Sequence, residues 1–244
     1  MIKNFLILFL TLILFSTSTV AENIRVFEFT DEEFKNLQVK KVKGETKITL
    51  NKLIRVFEFT DEEFKNLQVK KVKGETKWTL GSNENGAYIK AEAEGVGSGL
   101  GKEIEIDLNK TPFINITWKV EKDLSGIIEN SKKGHDYAAR VFVIKKTGAT
   151  PLSNRAINYV FSSNNIIDQN WPSPYTKKSI DYVLSTTIDK PNTWVTVKAN
   201  VKEDFMKLHG LDVDNISGVA IMTDTDNSKL KAISYYQNIY FSDK

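Results

Sequence analysis

Asp136 and Arg140 stand four residues apart in Gly134–Lys145, G-H-D-Y-A-A-R-V-F-V-I-K, with the small Ala138 between them. Side chains along a strand alternate with a period of two. A strand here puts Asp136, Ala138, Arg140, Phe142 and Ile144 on one face and Tyr137, Ala139, Val141 and Val143 on the other. An arginine fork beside a carboxylate can hold the hydroxyls or the carboxylate of a ligand. The same two residues also make a buried structural ion pair, and both readings stand. Arg155 and Asn158, from the next apolar run, widen the polar spot. Trp171 and Tyr175, in N-W-P-S-P-Y, offer flat rings that stack on a sugar or fold back on the core.

The remaining acids supply weaker signals. Asp224-Thr225-Asp226-Asn227 has the start of a calcium loop, but the sixth position is Lys229 rather than glycine and the twelfth is Tyr235 rather than glutamate. A structural calcium site of another kind stays open; no other cofactor is expected. Glycoside chemistry needs two carboxylates at a set separation, one with a raised pKa, and Asp136 with Asp224 or Asp226 is the best pair on offer. A serine triad would have to use His135 or His209, and no G-x-S-x-G accompanies either. With no cysteine, thiol catalysis, disulfides and cysteine-metal sites are excluded together.

Bulk composition excludes other classes. Lys and Arg number 34 against 31 Asp and Glu, a net of +3, and the charges are interspersed, so no basic stripe proposes a nucleic acid. The first 21 residues read as a secretory signal peptide: Lys3, an apolar run from Phe5 to Phe15, then Thr19-Val20-Ala21 before Glu22. That run is too short for a comfortable membrane span. The expectation is an exported chain, periplasmic or extracellular, with no membrane span after cleavage; nothing fixes its oligomeric state.

Ile24–Lys47 and Ile54–Lys77 are identical letter for letter. Two copies are too few for a solenoid, which needs three or more units to bury a continuous core. Each copy holds an alternating strand (Val26 to Phe29 in the first) and a capping box, Thr30 with Glu33. One copy fills one slot in a domain, and Trp78 leads the second directly into the rest of the chain. Residues 22–52 are therefore expected to be a loosely packed duplicate, and 53–244 a single domain.

Downstream the pattern is strand-like. Ala87 to Ala93, Ile104 to Leu108, Phe113 to Val120, Arg155 to Phe161, Ile180 to Leu184, Trp194 to Val201, Ile216 to Thr223 and Ala232 to Phe241 alternate or run apolar. Gly95–Gly101 reads as a turn, Ser162–Thr176 as a long loop, and Lys202–Gly210 as a helix. Nine or ten short strands with one or two short helices predict an all-β fold, a two-sheet β-sandwich of jelly-roll type.

Three runs, G-H-D-Y-A-A-R-V-F-V, A-I-N-Y-V-F-S at Ala156–Ser162 and G-V-A-I-M-T-D-T-D-N at Gly218–Asn227, resemble the bacterial domain of unknown function 3047 family. The W-P-S-P-Y loop and the S-G-L-G turn add to the likeness, which runs from about Trp78 to the C-terminus. The resemblance implies an exported or envelope-associated protein without established activity and a sandwich like those that bind sugars. It also implies an acidic pair after the glycine, where this chain has His135-Asp136. The expected function is non-catalytic binding of a carbohydrate or envelope component. A polysaccharide hydrolase or lyase using paired carboxylates, and a structural role without a small ligand, are the alternatives.

Overall fold

The computed structural model describes residues 52–150 and 153–244; the expected signal peptide and the first repeat copy lie outside them. Among the described residues, thirteen strands and two short helices form a two-sheet β-sandwich of jelly-roll type, as the alternation predicts. The strands are β1 (Leu53–Arg55), β2 (Gln68–Lys73), β3 (Lys77–Asn83), β4 (Gly86–Glu94), β5 (Gly97–Asp107), β6 (Phe113–Lys122) and β7 (Ala139–Lys145). Then come β8 (Arg155–Ser162), β9 (Asn170–Ser173), β10 (Thr176–Thr186), β11 (Val195–Asn200), β12 (Asn215–Asp224) and β13 (Lys231–Ser242). Helix α1 is Asp61–Asn66 and α2 is Val201–His209.

One sheet runs β11-β6-β13-β4-β3, with β1 pairing the end of β13 beside β4. The other runs β2-β5-β12-β7-β8-β10-β9 and is antiparallel except for β8 with β10. Period-two alternation builds the core between them. Ile114, Ile116, Trp118 and Val120 of β6 face Val141 and Val143 of β7, Ile157, Tyr159 and Phe161 of β8, and Val219 and Ile221 of β12. The residues between these point to the outer face of the seven-stranded sheet: Arg140, Phe142, Asn158, Val160, Asp181, Val183, Ala220, Met222 and Asp224. On that face Tyr137, Val160 and Val183 form a second, smaller apolar cluster under Trp171.

Four expectations change. The strand begins at Ala139, not Gly134, because the backbone ahead of it crosses the sheet to cap the turn after β12. The glycine run is strand from Gly97 onward. Gly97 pairs with Asp224, and a side chain there would press within 2.9 Å of the Cβ of Asp224 and Oδ1 of Asp226. Part of the long loop is β9, which forms a hairpin with β10. In the second copy the strand is Leu53–Arg55, while Val56–Phe59 is irregular backbone that buries Val56, Phe57 and Phe59 in the core and leaves Glu58 exposed.

That second copy fills its slot through α1. Thr60 Oγ1 accepts from Glu63 N at 3.1 Å, and Glu63 Oε2 reaches back to the N–H groups of Glu58 and Phe59 at 2.7 and 2.8 Å. Glu63 Oε1 takes Lys102 Nζ at 2.9 Å, which fixes the unit to β5. Phe57 and Phe59 stack 5.5 Å apart, both buried, with Phe59 in the left-handed region (φ 52°). Phe57→Ala is expected to lower unfolding free energy by about 3–5 kcal/mol. Phe27→Ala, its counterpart in the first copy, is expected to leave the denaturation midpoint unchanged. A chain indifferent to both substitutions would mean that the copies interchange in the slot.

Candidate functional site

Alternation on β7 turns Arg140 onto the outer face beside Met222 of β12, and Asp224 lies two residues further along the same strand. Arg140 Nη2 donates to Asp224 Oδ2 at 2.5 Å, with both side chains buried. The guanidinium carbon sits 4.9 Å from the Tyr137 ring centre and 5.0 Å from that of Phe142, two cation–π contacts. Arg140 Nε is buried with no hydrogen-bond partner. Burial opposes the charge on Arg140, but Asp224 and Asp181 outweigh it and hold the guanidinium above its usual range. Burial pushes the Asp224 carboxyl up to about 6 against the pull of Arg140, with Asp136 adding to the rise.

Asp136 does not pair with Arg140. Its Oδ1 accepts from the backbone and side-chain nitrogens of Asn227 at 3.1 and 2.9 Å, and its Oδ2 from Ser228 N at 2.5 Å. The residue clamps the β12–β13 turn. That brings carboxylate oxygens of Asp136, Asp224 and Asp226 within 4.8 Å of one another. The set is a poor cage for calcium: three N–H groups already occupy Asp136, and a guanidinium already sits against Asp224. Nor does it present an acid–base pair. Asp224 Oδ1 accepts from Tyr137 N at 3.2 Å, so both its oxygens are engaged, and Asp226 is the only member whose carboxylate has no hydrogen bond among the described residues.

Asp181 escapes a reading of the sequence, yet it anchors the other end of the site. It is fully buried on the outer face of β10. Its Oδ1 accepts from Asn158 Nδ2 at 2.7 Å, and its Oδ2 from Tyr137 Oη at 3.1 Å, with His135 Nε2 at 2.8 Å. Asn158 also bonds Ser179 Oγ, and Trp171 Nε1 donates to Tyr137 Oη at 3.2 Å. Burial and the Asp181 charge drive the Tyr137 phenol far above its usual pKa, so it remains a donor. The period-two placement of Ser179, Asp181 and Val183 was the available signal. What no periodicity shows is that the segment after β6 lies over β8 and β10, fixed by buried Glu129, which accepts from Ser162, Ser163, Asn164 and Asn165.

Arg140, Asn158, Tyr175, Asp224 and Asp226 share one cavity of about 230 Å³, with His135, Ser179, Asn227, Val72, Phe142 and Met222 also in its walls. Tyr175 is 57% exposed, donates to Asn227 Oδ1 at 2.7 Å and meets the His135 ring edge-on at 5.5 Å. Arg155 and Trp171 stand outside. Arg155 Nη1 bonds Ser153 O at the start of β8, and half-buried Trp171 packs on the outer apolar cluster. A neighbouring hollow of about 330 Å³ shares Val72, Phe142 and Met222, so the two form one groove. Its floor there is Gly99, Gly101, Ala220 and Ile144.

Residues 62–240 match the family described as "Protein of unknown function (DUF3047)". The chain belongs to that family. No curated protein matches it. Similar solved structures include a family 30 carbohydrate-binding module of the cellulosomal cellulase Cel9D-Cel44B of Clostridium thermocellum, at 8% identity and TM-score 0.45, covering 78% of this chain and 96% of that one. A cellulase derived from Cel12A of Rhodothermus marinus is 10% identical with TM-score 0.44, covering 72% and 90%. The xyloglucanase domain of NopAA from Sinorhizobium fredii is 10% identical with TM-score 0.40, covering 71% and 92%. Likeness this low assigns no substrate to the DUF3047 chain.

The buried pair gives this DUF3047 member a pH signature. A carboxyl whose folded pKa is raised binds its proton more tightly in the folded state, so its contribution is complete below pH 4 and fades as pH climbs through 6. Between those limits unfolding free energy should fall with pH by up to about 1.4 kcal/mol per unit from this group. Asp224→Asn is expected to remove that slope. Denaturant melts of both proteins at pH 4, 5, 6 and 7 measure it, and parallel curves would show that Asp224 ionises normally.

Proposed function

We propose that this DUF3047 protein is exported and binds a glycan of the cell envelope, without cleaving it, in the groove on the outer face of its seven-stranded sheet. The reading rests on the groove itself. An apolar floor leads into a smaller pocket lined by Arg140, Asn158, Tyr175 and Asp226. Sugars carry both surfaces that such a groove needs: apolar C–H faces and a rim of hydroxyls that donate and accept. Arg140 lines that pocket, and a ligand oxygen there would accept from its guanidinium. Tyr175, standing at the mouth, supplies a ring for a pyranose face.

Binding is favoured over cleavage because hydrolysis uses two reachable carboxylates. Asp136 and Asp224 are committed to the fold, which leaves Asp226 alone. No helix among the described residues is long and apolar enough to cross a membrane.

Tyr175→Ala tests the reading because the residue is exposed and its loss leaves the core intact. The full chain on a glycan array, followed by titration calorimetry of the hits, should show binding that Tyr175→Ala weakens about tenfold, the stacking energy of one ring. Release of reducing ends would instead make the protein a hydrolase. Absence of any glycan hit, or equal affinity in the variant, would overturn the proposal.

A further inference from the structure

We infer that the pocket is selective for an N-acetylated amino sugar, an inference that rests on the glycan reading. Three groups converge in the cavity of about 230 Å³, and an acetamido substituent has one complement for each. Arg140, only 3% exposed, brings a guanidinium that lines the cavity, and a carbonyl oxygen offers it a neutral acceptor. Asp226 brings the one carboxylate of its cluster without a hydrogen bond, and an amide N–H supplies a donor. Val72, Phe142 and Met222 form an apolar wall, and a methyl group fills it.

The same geometry disfavours the other sugar classes. A uronic acid also offers oxygens to Arg140, but it would bring a negative charge against Asp136, Asp224 and Asp226, whose oxygens lie within 4.8 Å of one another. Arg140 is already neutralised by Asp224 at 2.5 Å, so it has a hydrogen bond to give rather than net charge. A neutral acceptor suits it. A plain hexose has hydroxyls for Arg140 and Asp226 but no methyl group to fill the apolar wall. An N-acetyl group satisfies all three within one substituent, which is how a small pocket gains discrimination: an analogue lacking it leaves buried polar groups unpaired.

Calorimetry of the full chain against three trisaccharides tests the inference: triacetylchitotriose, its deacetylated form and cellotriose. The acetylated sugar is expected to bind at least tenfold more tightly than either of the others. Asp226→Ala should erase most of that preference by weakening the acetylated sugar far more than cellotriose. Its side chain has no protein hydrogen bond, so the variant is expected to fold normally. Equal or tighter binding of cellotriose would overturn the acetamido assignment and leave the glycan reading intact. Tighter binding of the deacetylated sugar would mean that Asp226 attracts an ammonium group, and would also overturn it. Failure of all three, with no other glycan bound on the array, would remove both readings together.

Discussion

A guanidinium held away from water against one carboxylate is the constraint on which the rest of the site depends. Taking both charges of Arg140 and Asp224 out of water costs several kcal/mol per ion before their attraction is counted, so neither can stay buried alone. The surroundings follow from that need. The Tyr137 and Phe142 rings both lie against the guanidinium, at 4.9 and 5.0 Å. Gly97 leaves space where β5 passes Asp224. The Tyr137 backbone donates to the second oxygen of the carboxylate, so the segment before β7 has to lie across the sheet to complete the pair.

Asp181 imposes the same logic a few ångströms away. A fully buried carboxylate needs donors, and it finds them in Asn158, Tyr137 and His135. Two of those donors come from the segment after β6, and buried Glu129 holds the middle of that segment to the turn after β8. An outer sheet face that would otherwise be wet is thereby converted into a walled groove. The wall is polar at one end and apolar along its length, a division set by which strand residues alternate outward.

Much of the sandwich was legible because alternation is a local property. The inward residues of β6, β8 and β12 can be read from a few letters each, as can the capping boxes and the helix ahead of Gly210. Register is not local. Arg140 meets Asp224 across 84 residues, and no pattern in either strand says so. The expected Asp136–Arg140 face failed for a related reason: alternation holds only while the chain stays extended, and Asp136 sits where it turns aside to cap Asn227 and Ser228. Gly97, Gly99 and Gly101 read as a turn because glycine marks turns more often than strands. In this sheet the spacing of the three at every second position was the better guide.

The six-stranded sheet has an order of assembly written into its topology. β13 lies at its centre, pairing β6 on one side and β4 and β1 on the other, and it is the latest of these strands in the chain. Until residues 231–242 have been synthesised, β1, β4 and β6 share no partner, and the six-stranded half of the sandwich cannot close even though every strand of the other sheet is already present. Closure is therefore a long-range event that joins β1 to the far end of the sequence, the kind of contact that makes all-β domains fold slowly. During that interval the strands that β13 will separate present unpaired edges.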